Sequence, residues 1–130
     1  MTFIFLTVCI LVAYLLTLRK ENKIEETKKG QIMTYTPRQI ADYFLYIGKE
    51  DPTMTPMKLI KLVYIAHGWN LGLNDEDLIN EPVQAWKYGT VIASLYEDFR
   101  EFKSEKITKI PQQEPNIILE DDKKFLDKVY

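Results

Sequence analysis

Histidine and cysteine, which commonly serve as catalytic bases, nucleophiles and metal ligands, are scarce in this 130-residue sequence. His67 is the only histidine and Cys9 is the only cysteine. A catalytic histidine needs a nucleophile to activate or a carboxylate to orient it, and the sequence contains no G-x-S-x-G motif. One histidine and one cysteine also cannot supply a conventional zinc site. We therefore predict no metal and no cofactor, and we interpret His67 as a half-buried structural residue.

Carboxylates form the second group of side chains with chemical potential. Glu97 and Glu101 are four residues apart on a predicted helix, and Asp98 and Arg100 lie between them. Paired carboxylates can carry out acid–base catalysis, so a small hydrolase that uses His67 and Glu97 is one hypothesis. A solvated helix face is the commoner role of such a charge cluster, and we predict that the chain is not an enzyme.

A short aromatic and basic stretch is harder to assign to a helix. Trp86, Lys87 and Tyr88 lie between Pro82 and Gly89, in a piece that does not follow helical spacing. Aromatic and cationic side chains are favoured anchors of protein interfaces, which makes these three residues candidates for binding a partner. The alternative is that Trp86 and Tyr88 fill the core from a strand-like segment.

The elements that must position these residues begin near Met33. Thr36 is predicted to cap a first helix, with Pro37 in its first position and Gln39 completing a capping box. Apolar residues follow at helical spacing, and Gly48 ends the segment.

A second helix is predicted by the same device at Thr55 and Pro56. Its broad apolar face predicts that it is the most buried helix. That face comprises Leu59, Ile60, Leu62, Val63, Ala66 and Trp69. We expect Gly68 to allow close helix packing, and we expect residues 72–77 to form a turn.

The C-terminal part of the sequence predicts two further helices. A short extended piece that includes Trp86 is closed by Gly89, and Thr90 can cap the third helix. The apolar stripe of that helix comprises Ile92, Leu95, Tyr96, Phe99 and Phe102. Residues 116–119 suit a short strand, and three acidic residues from Glu120 suit the start of a fourth helix. The sequence ends within that apolar pattern, so we expect the domain to be incomplete at its C-terminus.

These patterns together predict a mainly α fold, a compact helical domain with a short β element. A net charge of −2 and a pI of about 5.5 give no overall basic surface for nucleic acid, so we predict no direct nucleic-acid partner.

The N-terminal residues suggest a membrane anchor. Thr2 to Leu18 carry no charge, and their length is near the lower end of the about 17–25 residues that span a bilayer. Arg19 and Lys20 follow at once, so the positive-inside rule predicts an outside N-terminus and a cytoplasmic domain on the inner membrane. Residues 1–18 would then be a single transmembrane helix, residues 19–32 a charged linker, and residues 33–130 the domain.

An alternative is that translation begins at Met33. The codons of Lys28, Lys29 and Gly30 are purine-rich and resemble a bacterial ribosome-binding site just before the Met33 codon. In that case residues 1–32 are a mis-assigned start, and the membrane is a partner only if they are translated.

Two ordered motif blocks resemble the Panacea domain, the SocA-like antitoxin family, over Met33 to Tyr130. The first follows K-L-x-K-L-x-Y-x-A-x-G-W, and the second follows E-x-x-x-A-W-x-Y-G-P-V with x-S-x-Y and an aromatic residue. The matching residues are Lys58, Leu59, Lys61, Leu62, Tyr64, Ala66, Gly68, Trp69, then Glu81, Ala85, Trp86, Tyr88, Gly89, Val91, Ser94, Tyr96 and Phe99. Thr90 departs from the usual proline, and the family domain normally continues through another helical stretch.

The resemblance implies a non-enzymatic role. Family members are found in toxin–antitoxin pairs, in phages and in other mobile elements, where they neutralise unrelated toxins, and one branch delivers its toxin to the ClpXP protease. We accordingly predict an antitoxin-like protein-binding domain whose toxin partner is encoded next door, with contact at Trp86, Lys87, Tyr88 and Tyr96. The alternative function is a membrane-tethered scaffold or regulatory protein of a phage or mobile element.

Overall fold

The computed structural model describes Ile4 and residues 6–17, 34–87 and 89–130. The chain divides into two compact units, Met1–Met33 and Thr34–Tyr130. In the first unit, residues 6–17 are helical and their side chains are exposed. No helix of the described residues is both long enough and apolar enough to cross a membrane. Residues 1–3, 5 and 18 of the predicted anchor and all of the predicted linker lie outside the described residues, so both stay predictions.

The second unit opens with two capped helices, as the sequence predicts. Helix α1 spans Pro37–Ile47, and the Thr36 hydroxyl accepts a hydrogen bond from the backbone N–H of Gln39. The Gln39 side chain accepts one in return from the backbone of Thr36, which completes the predicted capping box. Helix α2 spans Pro56–Asn74, and the Thr55 hydroxyl accepts a hydrogen bond from the backbone N–H of Lys58.

The predicted turn after α2 begins later than the sequence suggests. Residues 72–74 are still helical, and the chain turns only at Asp75, whose φ of 55° lies in the left-handed region. The Asn70 side chain donates a 2.8 Å hydrogen bond to the carbonyl of Glu76 and ties the turn to the helix. This tertiary hydrogen bond is invisible to an argument from turn-forming residues alone.

The extended piece is an antiparallel hairpin of strands β1 (Gln84–Trp86) and β2 (Gly89–Val91). Gly89 does not close a single strand but begins the second one, with a φ of 120° that favours glycine. The predicted cap at Thr90 is wrong, because Thr90 lies in β2 opposite Ala85. Helix α3 (Ala93–Phe99) starts after Ile92 without a side-chain cap.

A 3₁₀ turn, Arg100–Phe102, extends α3, and helix α4 spans Glu120–Val129. Residues 116–119 form a bend rather than the predicted strand. The predicted fold class is confirmed to the extent that the domain is mainly helical with a small two-stranded sheet. The predicted transmembrane helix is not part of that confirmation.

The core lies where α2 packs against α1, α3 and α4. Its fully buried side chains include Ile40, Phe44, Leu59, Val63, Leu95, Phe99 and Leu126. All the apolar residues predicted for α2 are buried except Trp69, which is 59% exposed. Helix α2 is therefore central, but its apolar surface is wider than the core covers.

Helix α4 is held by tyrosine–carboxylate hydrogen bonds as well as by apolar contact. The Tyr35 hydroxyl donates to Asp122 Oδ2 at 2.5 Å and accepts from the backbone N–H of Leu119. The Tyr43 hydroxyl donates to Asp127 Oδ1 at 2.6 Å. Both tyrosines are almost fully buried, so α4 can leave the domain only if these bonds break.

We expect α4 to loosen at high pH. Burial and the hydrogen bond to Asp122 raise the pKa of Tyr35 from 10.0 to about 12. The neutral phenol is therefore favoured by folding, and this contribution to stability is complete below pH 10 and is lost as the pH rises toward 12. Tyrosinate absorbance followed beside helical circular dichroism should show a coupled transition in this window. The Tyr35→Phe substitution should lower the free energy of unfolding at neutral pH. The part of the alkaline transition that is coupled to ionisation of Tyr35 should be absent in this variant.

The expected close packing at Gly68 is wrong. Among the described residues, a Cβ atom placed at Gly68 would meet no atom outside its own helix within 4 Å, and the same is true at Gly72. At Gly48, by contrast, a Cβ atom would lie 2.7 Å from Met54 Cε and 3.0 Å from the Phe44 carbonyl oxygen. Gly68 thus lies on an open face of α2.

We expect Gly68→Ala to raise the free energy of unfolding by about 0.5–1 kcal/mol, because alanine limits the unfolded chain and favours helix. Gly48→Ala, the matched control, should lower it by about 1–3 kcal/mol through overpacking. Urea unfolding followed by circular dichroism measures both changes. A destabilised Gly68→Ala would show that this face is covered.

Candidate functional site

An open groove lies between the N-terminal half of α2, the hairpin and the end of α3. Its volume is about 720 Å³. Three elements line it: Pro56, Met57, Ile60, Lys61, Tyr64 and Ile65 from α2, Trp86, Gly89, Thr90 and Val91 from the hairpin, and Tyr96, Arg100 and Lys103 from α3 and the turn after it. Pro56 and Ile60 are buried and form its floor, whereas Met57, Tyr64 and Ile65 are exposed.

Trp86 and Tyr96 form an aromatic pair in this groove. Their ring centroids are 5.2 Å apart and their planes meet at 71°, an edge-to-face arrangement. The side chains are 42% and 41% exposed, respectively, and Trp86 Nε1 donates a hydrogen bond to Gln84 Oε1. Trp86 therefore does not fill the core, which was the alternative interpretation of this residue.

Of the other two candidate contact residues, only Lys87 is described by the structure. Lys87 is exposed in the turn between the two strands, outside the groove lining. Tyr88 lies outside the described residues, so both of its interpretations stay open. The structure thus brings together Trp86 and Tyr96 of the four candidate contact residues.

Sequence reasoning missed the contribution of α2 to this site. Met57, Lys61, Tyr64 and Ile65 share one side of the helix, next to the hairpin. A surface helix normally presents one apolar stripe, and α2 instead has apolar residues nearly all round. The apolar residues outside a single stripe could have indicated this site in the sequence. A helix that its domain covers on only part of its surface must expose the apolar side chains on the rest.

His67 has the structural role that was predicted. Its side chain is 13% exposed, and Nδ1 accepts a 3.3 Å hydrogen bond from the backbone N–H of Leu78. Glu97 Oε2 lies 3.6 Å from Arg100 Nη1, and both side chains are exposed. Neither His67 nor Glu97 lines the groove. Among the described residues, no cluster of three or more histidines, cysteines and acidic residues could hold a metal ion.

Several residues of the two motif blocks hold the fold instead of facing the groove. Ser94 donates a 2.5 Å hydrogen bond to Glu81, and the two residues flank the hairpin. Lys58 pairs with Asp51, which also accepts a 3.0 Å hydrogen bond from Tyr130. The lysine bond is the main reason that the pKa of Asp51 lies well below its usual range. The two motif blocks therefore contain residues that stabilise the fold as well as exposed residues that line the groove.

A small helical domain with an open groove and an exposed aromatic pair is typical of binding proteins. A family model, the antitoxin SocA-like Panacea domain, matches residues 59–130, more than half of the chain. The chain belongs to this antitoxin family, which is generally non-enzymatic and implies a toxin partner. No curated protein and no solved structure matches the chain. The resemblance found in the sequence is thus confirmed over residues 59–130, and its extension to residues 33–58 stays a prediction.

Proposed function

We propose that this chain is an antitoxin-like protein that neutralises a partner toxin through the groove. The observation that carries the proposal is the exposed Trp86–Tyr96 pair in the groove of an antitoxin-family domain. Tryptophan and tyrosine dominate the binding energy of protein interfaces when they lie in a central pocket from which a partner excludes water.

The exposed groove residues are available to a partner because the buried core of the described domain does not include them. Leu95 and Phe99 of α3 are fully buried, whereas Tyr96 of the same helix is not. Exposed apolar side chains that neighbour one another commonly mark an interaction surface. Burial of this surface by a toxin would release water from the two aromatic rings and from Met57 and Ile65.

Two mechanisms follow from binding. The chain could sequester the toxin by covering its active surface, or it could present the toxin to a ClpXP-type protease as an adaptor. Sequestration requires one copy of the chain for each toxin molecule, whereas one adaptor molecule can deliver many toxin molecules to the protease in turn. Toxin half-life measured in hosts with and without the protease separates them, because sequestration leaves the half-life unchanged by loss of the protease.

The test of the function itself is growth rescue. The neighbouring open reading frame is expressed from an inducible promoter, with and without the 130-residue chain. We expect growth arrest by the neighbour alone and recovery when the chain is present. A harmless neighbour, or a toxic one that the chain does not relieve, would contradict the proposal.

The alternative is a membrane-tethered scaffold, which the uncharged stretch from Thr2 to Leu18 favours. Fractionation of native cells, together with mass spectrometry of the N-terminal peptide, distinguishes the two translation starts. A membrane-bound chain that begins at Met1 would support the tether, and a chain that begins at Met33 would remove it.

A further inference from the structure

The described charged side chains that line the groove are all positive. Lys61 lies on α2, Arg100 lies in the 3₁₀ turn after α3, and Lys103 follows that turn. Among the residues that the structure describes, no aspartate or glutamate lines the groove, although the chain as a whole has a net charge of −2. The positive charge is therefore a local property of this surface.

These cations are largely available for a partner. In the part of the chain that the structure describes, neither Lys61 nor Lys103 forms an ion pair. Arg100 Nη1 lies 3.6 Å from Glu97 Oε2, and both side chains are more than 60% exposed. An exposed pair of this kind contributes little, so Arg100 can exchange it for a partner carboxylate.

We propose that the groove binds an acidic amphipathic segment of the partner toxin, with apolar side chains on the floor and carboxylates against Lys61, Arg100 and Lys103. This inference rests on the proposed function and specifies the chemistry of the partner. The carboxylates of the partner segment are inferred from charge complementarity with the three cations of the groove. The exposed apolar surface of Met57, Ile65 and the aromatic pair identifies the apolar side chains.

A nucleic acid is the less suitable anionic partner. Single strands bind on aromatic faces that stack with successive bases. Trp86 and Tyr96 instead meet edge to face and cover part of each other's rings. Much of the remaining lining is aliphatic and offers no hydrogen-bonding group to a base, whereas leucine-like or isoleucine-like side chains would fill it.

The proposal is tested with two helical peptides that have the same leucines at helical spacing. All the remaining positions are glutamate in one peptide and lysine in the other. Fluorescence anisotropy measures their binding to the purified 130-residue chain. We expect the glutamate peptide to bind and the lysine peptide to bind at least about tenfold more weakly. Binding should weaken between about 50 and about 300 mM NaCl, because salt screens exposed charges. No binding of the glutamate peptide, or equal binding of both peptides, would overturn the proposal.

Charge reversal supplies a matched pair of variants. Lys61→Glu/Lys103→Glu changes one helical and one loop lysine at the groove. Lys109→Glu/Lys124→Glu changes one loop and one helical lysine away from it. All four side chains are exposed, so both double variants should fold. We expect the groove variant to bind the glutamate peptide at least about tenfold more weakly, and the control to bind it as the unaltered chain does.

The same variants distinguish failure of this inference from failure of the proposed function. If Lys61→Glu/Lys103→Glu still rescues growth while Trp86→Ala does not, the antitoxin role stands and the acidic partner is excluded. If the unaltered chain does not rescue growth, the antitoxin role fails, and the peptide measurements still decide the chemistry of the groove. Binding of a labelled oligothymidylate that is tighter than that of the glutamate peptide and lost in the groove variant would overturn the proposal in favour of a nucleic acid.

Discussion

Replacement of Trp86 by alanine is expected to abolish growth rescue, whereas replacement of Trp69 by alanine should leave it intact. Both tryptophans are substantially exposed, at 42% and 59%. Only Trp86 lines the groove and packs against Tyr96. Removal of a central aromatic anchor typically costs 2 kcal/mol or more of binding energy, which is about 30-fold or more in affinity.

The two variants are matched in residue type, exposure and change in volume, so a general effect of losing an exposed tryptophan should appear in both. Copurification of the tagged toxin with each variant measures binding directly. Urea unfolding should show a change of about 1 kcal/mol or less for Trp86→Ala, since its ring is only partly buried. Normal rescue by Trp86→Ala, or equal loss by Trp69→Ala, would remove the groove from the proposed mechanism.

The largest expected effect on stability is that of Phe99→Ala. Phe99 is fully buried in the core, and the guanidinium carbon of Arg38 lies 4.8 Å from the centre of its ring. Truncation loses the apolar burial and leaves a cavity, which costs about 3–5 kcal/mol for a core phenylalanine. The lost contact with Arg38 adds to this, because the cation then faces a void.

Tyr96→Ala is the matched control for Phe99→Ala, because both aromatics lie on α3 three residues apart. We expect a small loss of stability in Tyr96→Ala and a large one in Phe99→Ala, measured by urea unfolding. Binding of the toxin should show the opposite order at a temperature where both variants are folded. Equal destabilisation by the two changes would mean that Tyr96 belongs to the core and not to the groove.

This contrast along one helix explains a limit of the sequence analysis. Ile92, Leu95, Tyr96, Phe99 and Phe102 read as one apolar stripe. The structure buries Ile92, Leu95 and Phe99 and leaves Tyr96 at the groove. Spacing alone assigns a residue to a helix face, but it does not say what element, if any, covers that face.

Local chemistry determined the parts of the fold that the sequence predicted well. The caps at Thr36 and Thr55 depend on hydrogen bonds to backbone groups three residues away, and the prolines that follow them need only a local φ value. The start of α4 has three acidic residues beside the positive end of its dipole, which is also a local effect. The family motifs were likewise readable, because they are stretches of consecutive sequence.

Tertiary packing decided the rest. The hairpin required the pairing of two three-residue strands, and neither strand is long enough to show a period of its own. The end of α2 depended on the hydrogen bond from Asn70 to Glu76, and the openness around Gly68 depended on the absence of a neighbouring helix in the described domain. The groove itself joins residues that are up to 47 positions apart, from Pro56 to Lys103. Sequence determined which side chains could form a binding surface, and only the packing of α2, the hairpin and α3 decided which of them remain uncovered, because exposure is a property of the neighbours.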